Sequence, residues 1–188
     1  MNLRPGQTIC EFESAKGKKI ELKIPKYGWE AKYMDFINSV ISEDDYIILS
    51  TKQTIENEEE FVESWIQKIK NKQGISLTAF HNDEIIGNCD LNFCQDDRRN
   101  HVAVFGITIK EGFREEKIGS KMMECLFSLA KESGIKIVKL DVFSTNKRAQ
   151  RVYEKMGFTI VGKVPKGIFR RGKYIDDIIM VKELSTDD

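Results

Sequence analysis

Apolar residues recur at intervals of three and four positions in four stretches of the chain. In the first stretch the repeat begins at Tyr33 and returns at Phe36, Ile37 and Val40. Such a repeat places the apolar side chains on one face of a helix. We therefore predict helices over residues 29–40, 58–70, 121–133 and 146–157.

The remaining apolar runs are short, and they alternate with polar residues or are rich in β-branched side chains, as strands are. Two strands flank a turn at Gly17, and two more flank a turn at Asn82 and Asp83. This order of strands and helices predicts an α/β protein with one mixed sheet and helices on both faces. The other predicted strands cover residues 102–109 and 136–143, and two more surround a basic loop at residues 165–174.

Three consecutive glutamates, Glu58, Glu59 and Glu60, fall in the first turn of the second predicted helix. Negative side chains there complement the partial positive charge of a helix N-terminus. We therefore interpret the cluster as a feature that stabilises the helix, with a role in binding substrate as the alternative.

The composition is that of a globular protein with a sizeable core, and it points to no particular partner. Of the 188 residues, 40% are hydrophobic and 32% are charged, which predicts one domain over residues 1–188. Thirty basic residues balance thirty acidic ones, so no overall field favours nucleic acid or a membrane surface. The N-terminus lacks the apolar core of a signal peptide, and no run approaches the roughly 20 apolar residues of a membrane span. We therefore predict a cytoplasmic protein with neither nucleic acid nor membrane as partner.

Cysteine and histidine are too sparse for a metal site. The four cysteines show no CxxC spacing, and the only histidines are His81 and His101. We therefore predict no bound metal. The cysteines, which we expect to be reduced and mostly buried, are Cys10, Cys89, Cys94 and Cys125.

The segment REEKIGS, residues 114–120, joins a predicted strand directly to a predicted helix. A helix N-terminus presents unpaired N–H groups and a partial positive charge, so a turn of this kind can bind a phosphate. Gly119 has no Cβ to obstruct a ligand, Ser120 adds a hydroxyl group, and Arg114 can reach an anion. Taken alone, the turn is either an anion site or a simple connection between two elements.

A second motif lies in the segment LDVFSTNKRAQRVYEKMGF, residues 140–158. Together the two segments resemble the GNAT superfamily of N-acetyltransferases, with its Arg/Gln-x-x-Gly-x-Gly/Ala pyrophosphate loop and its Asn-x-x-Ala-x-x-x-Tyr-x-x-x-Gly-Phe element. Lys117 stands where the family loop has its first glycine, and its ammonium group either approaches a phosphate or extends into solvent. The likeness in element order extends over residues 18–184. The loop matches from Arg114 to Gly119, and the second element matches at Asn146, Ala149, Tyr153, Gly157 and Phe158.

The resemblance implies a fold, a cofactor and a set of contacts. The fold would be a mixed, mostly antiparallel sheet in which two parallel strands, residues 102–109 and 136–143, separate at their C-terminal ends. Acetyl-CoA would enter the gap, with its pantetheine amides bonded to the first strand and its pyrophosphate held by the loop. The implied contacts are Ile107, Thr108, Ile109, Arg114, Glu115, Glu116, Lys117, Ile118, Gly119, Ser120, Asn146, Ala149 and Tyr153.

The resemblance also implies catalytic roles. Tyr153 would point at the thioester sulfur and protonate the leaving thiolate as a general acid, although an amphipathic helix also places tyrosines in a core. The base that deprotonates the amine is less well defined. We place His101 first, because some family members carry a histidine at the head of this strand. The other candidates are Asp141, Glu111 and Asp90.

These inferences predict an acetyl-CoA-dependent N-acetyltransferase that transfers the acetyl group directly to a primary amine in a ternary complex. Neither motif contains a cysteine, which argues against an acetyl-enzyme. One alternative is a catalytically silent acyl-CoA-binding or regulatory module with the same fold. Another is a nucleic-acid-binding protein that uses the basic loop at residues 165–174, although a solvated hairpin loop explains that segment better. The sequence does not specify the amine, and it leaves a homodimer open.

Overall fold

The computed structural model describes residues 2–43 and 46–184, which form one sheet and four helices. Each predicted helix and strand is present, in the predicted order. The helices are α1 (Glu30–Ser42), α2 (Ile55–Lys70), α3 (Ile118–Glu132) and α4 (Lys147–Lys155). The strands are β1 (Thr8–Glu13), β2 (Lys19–Lys23), β3 (Gly74–His81), β4 (Glu84–Phe93), β5 (Val102–Ile109), β6 (Ile137–Phe143), β7 (Thr159–Arg170) and β8 (Lys173–Glu183).

The sheet is mixed and mostly antiparallel. Its strands lie in the order β1-β2-β3-β4-β5-β6-β8-β7. Neighbouring strands run antiparallel, except for β5 and β6, which are parallel. The predicted fold class is therefore confirmed, including the parallel pairing of β5 with β6.

The central strands have one polar and one apolar face. The register aligns Ser76 of β3, Asp90 of β4 and Gly106 of β5 in one row. Because side chains alternate along a strand, the neighbouring row, which contains Cys89, lies on the opposite face. That opposite face packs on α3 in the main core, whose members include Leu77, Leu91, Met122, Met123 and Leu126.

The helices α1 and α2 cover the polar face. Tyr33 of α1 is buried and shares a hydrogen bond with the Thr78 hydroxyl group of β3. Helices therefore lie on both faces of the sheet, as predicted, and the polar residues of β3 to β5 lie beneath α1 and α2. A second apolar cluster fills this interface and contains Trp29, Phe36, Val40, Val62, Phe80 and Ile85.

Short-range sequence signals determine where α2 and α4 begin. The Thr54 side chain accepts a hydrogen bond from the backbone N–H of Asn57, whose side chain accepts one from the backbone N–H of Thr54. This capping box starts α2 at Ile55, three residues earlier than predicted. At α4, Oδ1 of Asn146 accepts a hydrogen bond from the backbone N–H of Ala149 (3.1 Å).

The C-terminal hairpin corrects one expectation. The segment predicted as a basic loop, residues 165–174, is mostly strand, because β7 and β8 leave only Arg171 and Gly172 between them. Phe169 and Tyr174 pair across the two strands with their ring centroids 5.0 Å apart. This aromatic contact supports strand pairing up to the turn.

Two further expectations concern the cysteines and the membrane. All four cysteines are free, but only Cys89 is buried, so the expectation of mostly buried thiols was wrong. Cys10, for example, lies on β1, which has a strand neighbour on one side only. Within the described residues, no helix is long and apolar enough to cross a membrane.

Candidate active site

A cleft opens where β5 and β6 separate. The two strands pair only at their N-terminal ends, from Val102 with Ile137 to Val104 with Lys139. Farther along, β5 stays paired with β4 and β6 stays paired with β8, so the two strands diverge as predicted. In the described part of β5 after Val104, the edge that faces β6 therefore has no strand partner. The cleft has a volume of about 870 Å³.

The cleft has two ends. The α3 end consists of the C-terminal half of β5, the loop before α3 and the first turns of α3 and α4. The α1–α2 end consists of α1, α2, the segment between them and the polar face of β4. The structure brings all but one of the predicted cofactor residues to this cleft, and their contact with a cofactor remains a prediction. The residues that line it are Ile107, Thr108, Ile109, Arg114, Glu115, Lys117, Ile118, Gly119, Ser120, Asn146, Ala149 and Tyr153.

The backbone of the loop before α3 suits an anion. Glu115 and Lys117 both have left-handed backbone angles, with φ of 62° and 60°. Lys117 is the N-cap of α3, and in the described structure no side chain caps this helix. Its first N–H groups, at the cleft wall, are therefore available to a bound anion. The left-handed angle also explains why glycine would suit the position of Lys117.

Glu116 is the predicted cofactor residue that does not line the cleft. Its carboxylate is fully buried against the β1–β2 hairpin, where it pairs with Lys18 (2.7 Å) and Lys16 (3.4 Å) and accepts a hydrogen bond from Ser14 (2.8 Å). Lys18, followed by Ser14, lowers the pKa of Glu116 to about 2, so the carboxylate stays ionised. The side chain thus anchors the loop to the hairpin and points away from any ligand in the cleft.

Arg114 lies at the cleft but is already bound by protein groups. Its Nε donates a hydrogen bond to the carbonyl oxygen of Ile109 (2.7 Å), and its guanidinium group pairs with Glu43. Glu43 also accepts a hydrogen bond from the backbone N–H of Glu111 (3.0 Å). These contacts fix the path of the loop. We infer that anion binding at the α3 end depends mainly on backbone N–H groups.

Gly119 allows α3 to approach β5 closely. A Cβ atom at this position would lie 3.1 Å from Cδ1 of Ile109 and 3.7 Å from Cδ1 of Ile107. The first of these distances is tighter than ordinary van der Waals contact. Glycine therefore serves the packing of the helix on the strand, as well as leaving the helix N-terminus open to a ligand. The sequence predicted only the second effect.

Tyr153 reaches the cleft from α4. Its ring packs edge-on against Phe105, with centroids 6.3 Å apart, and lies 5.8 Å from the ring of Phe158. Burial raises the pKa of the phenol to about 12, so the hydroxyl group keeps its proton at neutral pH. The ring therefore packs against the core while the residue also lines the cleft, and its role as a general acid stays a prediction.

The structure separates the four candidate bases. Asp90 and Asp141 line the cleft, whereas His101 and Glu111 do not. His101 precedes β5, and its carbonyl oxygen accepts backbone hydrogen bonds from the start of β6, where the two strands are paired. It therefore lies at the closed end of the strand pair, and the geometry gives it no support as the base.

Asp90 of β4 lies on the polar face and pairs with Gly106 of β5. Gly106 is two positions past Val104, the last residue of β5 that pairs with β6. Both of its carboxylate oxygens are 3.5 Å from the point where a Cβ atom of residue 106 would lie. Asn92 donates a hydrogen bond to Oδ1 of Asp90 (3.2 Å), and Lys68 donates one to Asn92 (2.9 Å). Burial raises the pKa of Asp90 to about 7, and the charge of Lys68 opposes this only in part.

A second buried carboxyl group belongs to Glu58, which the sequence indicated only as part of the acidic cluster at the start of α2. The residue is 6% exposed and lines the α1–α2 end of the cleft. Among the described residues no side chain pairs with it, and burial raises its pKa to about 7. The spacing of four and seven residues from Glu58 to Val62 and Trp65 could have revealed this position. A helix that begins at Ile55 places Glu58 on the same buried stripe as Val62 and Trp65.

The cleft combines a splayed parallel strand pair with an uncapped helix N-terminus, as the family resemblance predicted. Residues 41–158 match the Acetyltransferase (GNAT) family, and the chain belongs to that family. This membership confirms the predicted family, identifies the protein as an acyltransferase and supports acetyl-CoA as its cofactor.

Relatives and solved structures agree with this assignment. The L-amino acid N-acetyltransferase AaaT of Escherichia coli (strain K12) is 29% identical over 121 residues, which cover 63% of this chain and 74% of the relative. An acetyltransferase of the GNAT family from Streptococcus pneumoniae superposes with a TM-score of 0.80 at 26% identity, over 88% of this chain and 99% of that one. The protein yncA from Salmonella typhimurium, solved with its cofactor acetyl-CoA, shares the fold with a TM-score of 0.77 at 14% identity, over 89% and 95% of the two chains.

Proposed function

We propose that the protein, as a single domain over residues 1–188, is an N-acetyltransferase that transfers an acetyl group from acetyl-CoA directly to a primary amine. One observation carries this proposal. The open edge of β5, the uncapped N-terminus of α3 and Tyr153 all meet in one cleft. The residues at the cleft therefore fit both the amide groups and the pyrophosphate of the cofactor.

The open edge of β5 would hold the pantetheine arm. Backbone groups of Ile107 and its neighbours can bond to the pantetheine amides, much as a sheet edge binds an added strand. The first N–H groups of α3 would hold the pyrophosphate, because they combine free donors with the positive end of the helix dipole. Lys117 and Arg148, which line the cleft nearby, add positive charge at this end.

Tyr153 would act as the general acid. When bound, acetyl-CoA supplies an activated acetyl thioester, whose C–S bond breaks as the amine nitrogen bonds to the carbonyl carbon. The protonated phenol can then give its proton to the departing sulfur. A backbone N–H of β5 can donate a hydrogen bond to the thioester oxygen as that oxygen gains negative charge.

Asp90 would act as the base in place of His101. Its carboxylate adjoins Gly106 on β5, and its raised pKa of about 7 suits proton transfer near neutral pH. Asp90 takes one proton from the ammonium form of the acceptor, and a second proton leaves the nitrogen for solvent once the C–N bond has formed. Asp90 then releases its proton to solvent, and solvent returns a proton to Tyr153. The net change is one acetylated amine, one free thiol and one released proton.

No cysteine among the described residues lines the cleft, which supports direct transfer rather than an acetyl-enzyme. Cys89 is buried, and burial raises the pKa of its thiol well above the ordinary value, so it is a poor nucleophile.

The experiment that tests the proposal measures thiol release from acetyl-CoA with the full chain and a panel of primary amines. We expect release that depends on the amine, together with a rise in Tm when acetyl-CoA is added. A rise in Tm without amine-dependent release would favour the alternative, a silent acyl-CoA-binding module. If acetyl-CoA neither raises Tm nor is turned over, the assignment of the cleft is wrong.

A further inference from the structure

Six carboxylic residues line the cleft. Glu115 belongs to the loop before α3, and the other five are Glu58 and Glu60 of α2, Asp90 of β4, Asp141 of β6 and Asp177 of β8. Asp141 and Asp177 lie on the same face of the sheet, because Asp177 pairs with Phe143, two positions after Asp141. The parallel register continues this row toward β5, which places Asp141 across the gap from Gly106 and Asp90.

The cations of the cleft lie at its other end. Among the described lining residues they are Arg114, Lys117 and Arg148, all of which belong to the loop before α3 or the first turn of α4. Lys68 approaches Asp90 only through Asn92 and does not line the cleft. At the α3 end Glu115 is the one carboxylic residue among the described lining residues, so the end is positive and suits a pyrophosphate, whereas the part of the cleft lined by the other five is negative.

Glu58 is the group that points to a ligand. It is 6% exposed and borders the cleft, and in the described structure its carboxyl group has no hydrogen-bond or ion-pair partner. A buried carboxylate is costly unless it is paired, and a bound cation would supply the missing partner. The wall beside Glu58 is apolar, with Phe36, Ile37, Val40 and Phe61 lining it.

We propose that the acceptor is an aliphatic amine with at least two positive charges, whose reacting nitrogen lies at Asp90 and whose second ammonium group pairs with Glu58. This inference rests on the proposed function. The methylene groups between the two nitrogens would lie along the apolar wall, where they exclude water from the charge pair. An acceptor carboxylate would face the acidic end of the cleft, which disfavours amino acids, the acceptors named for the Escherichia coli relative.

Three acceptors of equal length test the charge requirement. Hexamethylenediamine carries two ammonium groups, hexylamine carries one, and aminohexanoate carries one ammonium and one carboxylate. With acetyl-CoA at saturation, kcat/KM for the diamine should exceed that for hexylamine by about tenfold or more, because a desolvated charge pair is gained. Aminohexanoate should be the poorest acceptor of the three. Equal values for the diamine and hexylamine would overturn the proposal.

A pair of neighbouring variants on α2 tests the role of Glu58. Glu58→Gln should reduce the ratio of diamine to hexylamine kcat/KM to near one, chiefly through a higher KM for the diamine. The matched control is Glu59→Gln, because Glu59 is exposed and does not line the cleft, and it should keep the full ratio. A Glu58→Gln variant that keeps the wild-type ratio would rule out Glu58 as the partner of the second ammonium.

A binding measurement separates this inference from the proposed function. Titration of hexamethylenediamine into the protein with bound coenzyme A should give a measurable Kd that weakens about tenfold or more in Glu58→Gln. If hexylamine or a short peptide is acetylated faster than the diamine, the enzyme is an acetyltransferase but the inferred acceptor is wrong. If no amine is acetylated although acetyl-CoA binds, it is the proposed function that fails.

Discussion

Asp90 of β4 and Gly106 of β5 stand side by side on the polar face of the sheet. Both carboxylate oxygens of Asp90 lie 3.5 Å from the point that a Cβ atom of residue 106 would occupy. Because glycine has no side chain, the space between Asp90 and the gap that separates β5 from β6 stays open. This pair therefore links the proposed base to the open edge of the strand.

Gly106→Val should close that space. A Cβ atom at this position would be in ordinary van der Waals contact with Asp90, and valine favours strands, so the fold should be kept. We expect kcat/KM for the amine to fall by about tenfold or more, since a small displacement of the reacting groups is costly. The Kd of acetyl-CoA, measured by calorimetry, should change little. The smaller Gly106→Ala should have a milder effect, and a matching loss of acetyl-CoA affinity would contradict this interpretation.

Tyr153→Phe should separate chemistry from packing. The variant keeps the ring that contacts Phe105 and Phe158, so Tm and the Kd of acetyl-CoA should be preserved. Loss of a positioned acid should lower kcat by roughly 100-fold. The defect should shrink with an acyl donor whose thiol is more acidic, because that leaving group needs less protonation. Full kcat in Tyr153→Phe, with chemistry as the slow step, would show that Tyr153 is only a core residue.

Asp90→Asn should remove the acidic limb of the pH profile of kcat. In the wild type this limb should have an apparent pKa near 7, because burial raises the pKa of the Asp90 carboxyl group to about 7. We expect kcat at pH 7.5 to fall by on the order of 100-fold. His101→Ala is the matched control, and it should keep both kcat and the limb. The opposite result for the two variants would restore His101 as the base.

Asp90 should also make folding stability depend on pH. The folded protein holds this proton up to a pH of about 7, whereas the unfolded chain releases it near 3.8. The stabilising contribution of the proton is therefore fully present below the lower value and is lost as pH rises through the higher one. Asp90→Asn should have a higher Tm than the wild type at pH 8, by about 2 to 4 °C for each kcal/mol recovered. The difference should shrink toward pH 5, and a difference that grows on acidification would contradict the raised pKa.

Glu116→Gln should weaken acetyl-CoA binding without removing a residue that lines the cleft. The substitution replaces the charge that pairs with Lys18 and Lys16, so the loop before α3 should lose its anchor on the hairpin. We expect the Kd of acetyl-CoA to rise by about tenfold. The depressed pKa implies that the ion pair stabilises the fold above a pH of about 4.5 and that this contribution is lost as pH falls toward 2. Glu124→Gln is the control, because Glu124 is exposed on α3, pairs with Lys121 and does not line the cleft.

The helices, the strands and the two motif segments could be predicted from the sequence, because their signals act over a few positions. The three-and-four repeat predicted all four helices, and the left-handed turn at Asn82 and Asp83 joins β3 to β4 as expected. The Asn146 side chain caps α4 through the backbone N–H of Ala149, three residues away, and the loop that ends at Gly119 leads directly into α3. Where a short-range signal was overlooked, as at Thr54, the predicted start of α2 was wrong by three residues.

Which of the candidate groups share the cleft depends on contacts between distant segments, and the sequence did not predict it. Asp90 lies beside Gly106 because β4 and β5 pair in one particular register, and the hydrogen bond from Ser14 to Glu116 joins residues 102 positions apart. A shift of one residue in a strand would turn Asp90 to the opposite face. The burial that raises the pKa of Asp90 depends on the packing of α1 and α2 over the sheet, and that packing forms only when distant segments come together.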